Sequence, residues 1–93
     1  MNLDFDSVQI TLAKGYRLQY EPVQGAHVLL YPEGMVEMNS EAASILSHCE
    51  QPIQVKEVVA KIEESFEGDT LSQDVREFLV GAYEQGWIAL TAK

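Results

Sequence analysis

The stretch Leu29-Leu30-Tyr31-Pro32-Glu33-Gly34-Met35-Val36-Glu37-Met38-Asn39 constrains this chain more than any other. It reads as two short strands joined by a tight turn that runs directly into a helix. Pro32 presets the backbone for a turn, Gly34 is expected to supply a positive φ, and the flanking residues are the β-branched, aromatic or large apolar types that strands favour. His27 to Tyr31 is the first strand and Met35 to Met38 the second. Asn39-Ser40 has the chemistry of a helix N-cap. A strand whose chain leaves at once for a helix need have no partner on its far side, so its N–H and C=O groups would be open to a visiting peptide.

The rest of the chain organises around that block. Val8, Ile10 and Leu12 alternate with polar residues, and after Gly15 the alternation resumes as Tyr16, Leu18 and Tyr20. This predicts an extended arm over about residues 1–14, then a strand from about Arg17 to Glu21, with Pro22 to Gly25 turning into the His27 strand. Ala42, Ile45, Leu46 and Cys49 then fall at helical spacing until Gln51-Pro52. Val55, Val58, Val59, Ile62 and Phe66 repeat that spacing up to Gly68. A third helix, capped by Asp69 or Thr70, carries Leu71, Val75, Phe78, Leu79, Ala82 and Tyr83 before Gly86 stops it. Trp87 to Leu90 leaves as an extended tail over the open end of the core. The expected fold is α+β, with a three-stranded antiparallel sheet followed by three helices in a winged-helix-like arrangement. Its 93 residues, 46% of them hydrophobic, suffice for one modest core, so residues 1–93 are read as a single domain.

Charge narrows the partners. The formal charge is −9, and the six basic residues (Lys14, Arg17, Lys56, Lys61, Arg76 and Lys93) are scattered. Nucleic acid and anionic lipid are recognised by clustered Lys and Arg, so both are excluded as expected partners. The third helix, with Arg76 among Asp74, Glu77 and Glu84, has the wrong sign for reading a DNA groove. The acidity is read as a solvated face, with Glu33, Glu37 and Glu41 the nearest candidates for an acidic docking patch. A lone cysteine and an acidic start without an apolar targeting segment point to a reducing, cytoplasmic setting.

The residues hold no evident catalytic set. His27 and His48 have no metal-ligand spacing with Cys49 or the carboxylates, and adjacent positions on a helix point about 100° apart. Cys49, on an apolar stripe, is read as a buried structural thiol. The carboxylate pairs Glu63-Glu64 and Glu67-Asp69 lie where nothing apolar would raise a pKa, and no Gly-rich phosphate loop is present. No cofactor and no metal are expected. Met35 and Met38 have opposite parity on one strand, so one must look outward, and Val80 lies off the apolar stripe of the third helix and should be exposed.

Four blocks carry a resemblance to a known family: Gly15-Tyr16-Arg17-Leu18-Gln19; Leu29-Leu30-Tyr31-Pro32-Glu33-Gly34; Met38-Asn39 with Ala43-Ile45-Leu46; and Asp74-Val75-Arg76-Glu77-Phe78-Leu79 ending in Gly86-Trp87. From about Leu12 to Ile88 the chain resembles PqqD, the pyrroloquinoline quinone biosynthesis protein D family. It departs where the family often has an Asp-Gly turn after the first helix and Ser or Thr capping the second; here stand Glu50-Gln51-Pro52 and Gln54. The resemblance implies a small cytoplasmic recognition element for ribosomally made peptides. Such a protein binds the precursor peptide PqqA along its third strand and last helix and delivers it to the radical SAM enzyme PqqE. The peptide-binding residues expected here are Met35, Val36, Glu37, Met38, Arg76, Leu79, Val80 and Tyr83. The alternatives are a small pathway enzyme or cofactor carrier and, further off, a winged-helix transcription regulator. The apolar arm joined through Lys14-Gly15 would permit strand exchange, so the expected state is a monomer or a strand-swapped homodimer.

Overall fold

The apolar alternation near the N-terminus ends as a paired strand and not as an open arm. In the computed structural model, which describes residues 5–65 and 71–91 with the backbone alone at 71 and 72, a 3-10 turn (Phe5–Ser7) leads into β1 (Gln9–Leu12). Then follow β2 (Arg17–Glu21), β3 (Ala26–Tyr31), β4 (Gly34–Met38), α1 (Ser40–Ser47), β5 (Ile53–Gln54), α2 (Val55–Ser65), α3 (Leu71–Gln85) and β6 (Ile88–Leu90). Phe66, Gly68 and the Asp69-Thr70 cap, expected at the ends of the second and third helices, lie outside the described residues.

Two antiparallel three-stranded sheets form where the sequence pattern led us to expect one. The meander β2-β3-β4 is as anticipated. The second sheet has the order β5-β1-β6, with β1 in the middle. Ile10 stands opposite both Ile53 and Leu90. Further main-chain bonds tie the strand in: the Leu12 N–H donates to the Cys49 carbonyl at 2.8 Å, and the Ala13 N–H donates to the Trp87 carbonyl at 2.9 Å. The Val55 N–H donates to Val8 at 3.0 Å and the Thr91 N–H to Gln9 at 2.9 Å. The extended tail is therefore a strand. Both partners of β1 are too short to show a period of two, which is why the pattern misses them.

The helices follow their spacing closely. Asn39 caps α1, its side chain accepting the Ala42 N–H at 2.7 Å. That helix ends at Ser47, earlier than the Gln51-Pro52 stop expected, yet Cys49 is still buried in the turn behind it. Val55, Val58, Val59 and Ile62 form the buried face of α2. Gly86, at φ +85°, closes α3: its N–H donates to Tyr83 and the Trp87 N–H donates to Ala82, which satisfies the last carbonyls as a Schellman cap does. α1 packs against β2, β3 and β4, α2 against α3, and α3 against β6. One core joins them all, with Ile10, Leu29, Leu46, Val58, Ile62, Leu79 and Ile88 closed to solvent or nearly so.

Ile10 is 0% exposed at the centre of the second sheet. Truncation of a fully buried Ile leaves a cavity as well as losing apolar contact, so Ile10→Ala is expected to cost about 3 kcal/mol of unfolding free energy. Urea denaturation measures this directly. A loss within the range of a surface substitution would show that β1 is not part of the cooperative core.

Candidate peptide-binding edge

β4 lies at the edge of its sheet, and among the described residues no strand pairs with its far side. The register tells which backbone groups are open. Tyr31 stands opposite Gly34 across the two-residue turn Pro32-Glu33. A pair that closes a two-residue turn exchanges both of its hydrogen bonds, and bonded pairs then alternate along the ladder. Gly34, Val36 and Met38 therefore bond into β3, while the N–H and C=O of Met35 and Glu37 point away from the sheet. Gly34 is not among the glycines with positive φ, so this turn does not use the left-handed conformation expected of it. Pro32 at its first corner supplies the φ that the turn needs.

The side chains obey the same parity. Val36 and Met38 face inward, and Met35 and Glu37 face outward. On α3, Val75, Leu79 and Ala82 make the buried stripe, leaving Val80 and Tyr83 off it. Of the expected binding residues, Met35 (53% exposed), Val80 (42%) and Tyr83 (49%) present apolar or aromatic surface, and Glu37 is exposed beside Met35. Met38 (5%) and Leu79 (0%) are core side chains, and Val36 packs against that core. No ligand reaches the Met38 and Leu79 side chains without opening the core, and Val36 spends its backbone on β3.

Arg76 is held from a distance. Its guanidinium donates to both carboxylate oxygens of Asp6, at 2.8 and 3.0 Å, and this pins the Phe5–Ser7 turn to α3. The Arg76 hydrogen bond holds the Asp6 carboxyl below the usual carboxylate range. Its contribution to stability is therefore present at neutral pH and fades as acid protonates the carboxylate. Arg76 also lines an open groove of about 250 Å³ with Gln73, Glu77 and Val80. Sequence reasoning missed Asp6, Gln73 and Glu77. The last two were recoverable, since 73, 76, 77 and 80 share one helical face, but nothing local marks Asp6 as a partner 70 residues away.

The remaining candidates for chemistry are placed by packing. The His27 ring meets Tyr20 edge-on at 4.9 Å, and His48 occupies the C-cap of α1. Cys49 is fully buried, and burial pushes its thiol up from 9.0 to about 12. Among the described residues, no three His, Cys, Asp or Glu side chains gather as a metal site would require, and no helix is long and apolar enough to cross a membrane.

A small α+β domain with an open strand edge at β4 and exposed apolar positions on α3 has the form of a recognition element. The PqqD truncation of Methylobacterium extorquens PqqCD, solved by solution NMR as a functional and stand-alone recognition element for ribosomally synthesised and post-translationally modified peptides, has the same fold. The TM-score is 0.73 at 21% identity, covering 95% of each chain. The profile of the family described as Coenzyme PQQ synthesis protein D (PqqD) matches residues 26–88, and this chain belongs to that family. Its relatives include the PqqA binding protein of Azotobacter vinelandii, 48% identical over 85% of this chain and 87% of that one. The PqqA binding protein of Pseudomonas fluorescens strain SBW25 is 40% identical over 95% and 99%.

The Cys49 thiol gives a test of the packing behind α1. A group whose folded-state pKa is raised stabilises the fold fully below its unfolded pKa, and that contribution is lost as pH rises through the folded value. The protein should therefore lose stability between about pH 9 and pH 12. Cys49→Ala should show a shallower alkaline loss than the parent when urea midpoints are compared across that window. Parallel pH profiles would place the thiol in water.

Proposed function

We propose that this chain is a peptide chaperone of pyrroloquinoline quinone biosynthesis. It binds the precursor peptide PqqA by strand addition to β4 and presents it to the radical SAM enzyme PqqE. The observation that carries this reading is the outward pair of backbone positions, Met35 and Glu37, on an edge strand in a chain whose relatives are named PqqA binding proteins. An added strand takes its affinity from main-chain bonds and its selectivity from the side chains beside it. Met35 on the strand and Val80 and Tyr83 on α3 supply that contact, with Arg76 beside Val80 in the groove on that helix. The reading takes the β2-β3-β4 sheet beside three helices as winged-helix-like, the protein as cytoplasmic and non-catalytic, and the peptide-binding form as one with β4 free.

Register converts this into a test. Glu37→Pro removes an N–H that points at the ligand and leaves the ladder to β3 intact, so PqqA binding should weaken at least about tenfold while the fold survives. Glu37→Ala should bind nearly as the parent does. Val36→Pro removes a bond inside the sheet and should lower stability. Isothermal titration with the precursor, alongside circular dichroism, reads all three variants. Unchanged affinity in folded Glu37→Pro would exclude pairing along β4.

The helix side is tested separately. Tyr83→Asp alters an exposed position, so the domain should remain folded while precursor binding and PqqE-dependent modification fall. Leu79→Asp buries a charge and should unfold the protein. Modification at the parental rate by Tyr83→Asp would remove α3 from the binding surface.

A further inference from the structure

β2 is the other edge of the same sheet. Since Tyr31, Leu29 and His27 bond toward β4, their neighbours Leu30, Val28 and Ala26 bond toward β2 and engage Arg17, Gln19 and Glu21. The N–H and C=O of Leu18 and Tyr20 are left pointing outward, and neither residue makes any other main-chain bond in a turn or loop among the described residues. The strand carries no proline, bulge or inward charge of the sort that blunts an edge. An open groove of about 430 Å³, lined by Leu12, Tyr16, Arg17, Leu18 and Glu50, runs beside its first half, and Tyr20 is exposed on its second.

The order of residues in β2 is self-complementary. It reads Arg17-Leu18-Gln19-Tyr20-Glu21. When two copies are laid antiparallel about Gln19, Leu18 meets Tyr20 of the other copy, and these are the positions with outward backbone groups. The same register sets Arg17 opposite Glu21 at both ends, on one face of the sheet, at the separation where opposite charges stabilise a strand pair. Within one chain, Arg17 donates to Gln19 at 3.1 Å and Gln19 donates to Glu21 at 2.6 Å. Neither charge has an ion-pair partner of its own among the described residues. Moving the centre to Leu18 or to Tyr20 separates the charges, and the latter also sets Pro22, which has no N–H, opposite Leu18. β4 lacks this property. Centring it on Met35 or on Glu37 brings carboxylates face to face, Glu33 against Glu37 or Glu37 against itself, and centring it on Val36 sets Glu37 against Met35 with no opposite charge to meet.

We propose that the β2 edge is a self-association surface. Two copies of this chain pair there about a two-fold axis through Gln19, joining their meanders into one continuous antiparallel sheet with a free β4 at each end. The surface is isologous, so each contact occurs twice. It is distinct from the peptide edge, and its failure would leave the proposed function untouched.

Charge exchange provides the test, by sedimentation equilibrium at near-physiological ionic strength, where the net repulsion between two copies at −9 each is largely screened. The parent should show a monomer–dimer equilibrium. Arg17→Glu and Glu21→Arg each set like charges opposite one another twice, and each should weaken dimerisation about tenfold or more. Glu21→Arg does so although it reduces the net negative charge from −9 to −7, so general repulsion does not account for the loss. An equimolar mixture of the two variants restores opposite charges at both ends and should dimerise again, as should the doubly exchanged chain. A parent that is monomeric up to about 1 mM overturns the proposal, and so does a mixture that remains as weak as its components.

Discussion

Everything in this fold depends on the pairing of β1 on both of its sides. Alone, the strand is four residues long and carries an apolar face that the meander does not cover. Set between β5 and β6, it brings Ile10 into the core and connects the loop after α1, the start of α2 and the chain beyond α3 through main-chain bonds. The Asp6–Arg76 pair adds a second tie between the same N-terminal segment and α3. The ends of all three helices are thus tied by a strand that does not belong to the meander, which α1 backs.

That division leaves the meander free to keep two edges. A sheet clamped by neighbours on every side would satisfy its backbone internally and offer nothing. Here α1 covers one face of β2, β3 and β4, so the sheet is rigid while its outermost backbone groups still face water. The two edges differ in chemistry. β4 presents Met35 and Glu37 beside acidic neighbours. β2 presents a sequence whose charges are complementary under two-fold rotation.

Local features were legible in the sequence to the extent that neighbouring residues determine them. The Asn39 cap, the buried stripe of α2, the Gly86 stop and the opposite exposures of Met35 and Met38 all follow from spacing or parity. The second sheet was not legible, because Ile53-Gln54 and Ile88–Leu90 are too short to show a period and pair with β1 across long separations. Met38 and Leu79 were expected at a binding surface, but their side chains turn to the core, a choice of face that residue type alone does not reveal. Gly34 was expected to need positive φ because glycine often serves that purpose in turns. Here a Cβ at that position would meet Tyr31 at an ordinary 3.5 Å, so little steric pressure is relieved.

The position of β1 in the chain also dictates an order of assembly. Ile10 leaves the ribosome 43 residues before its partner Ile53 and 80 before its partner Leu90. The meander, whose strands follow one another through short turns, closes on local contacts and needs no such wait. Nascent chains thus hold the complete meander while the strand that anchors the helices still lacks both of its partners. Closing the longest loop comes last, and loops of that length slow folding more than they weaken the folded state.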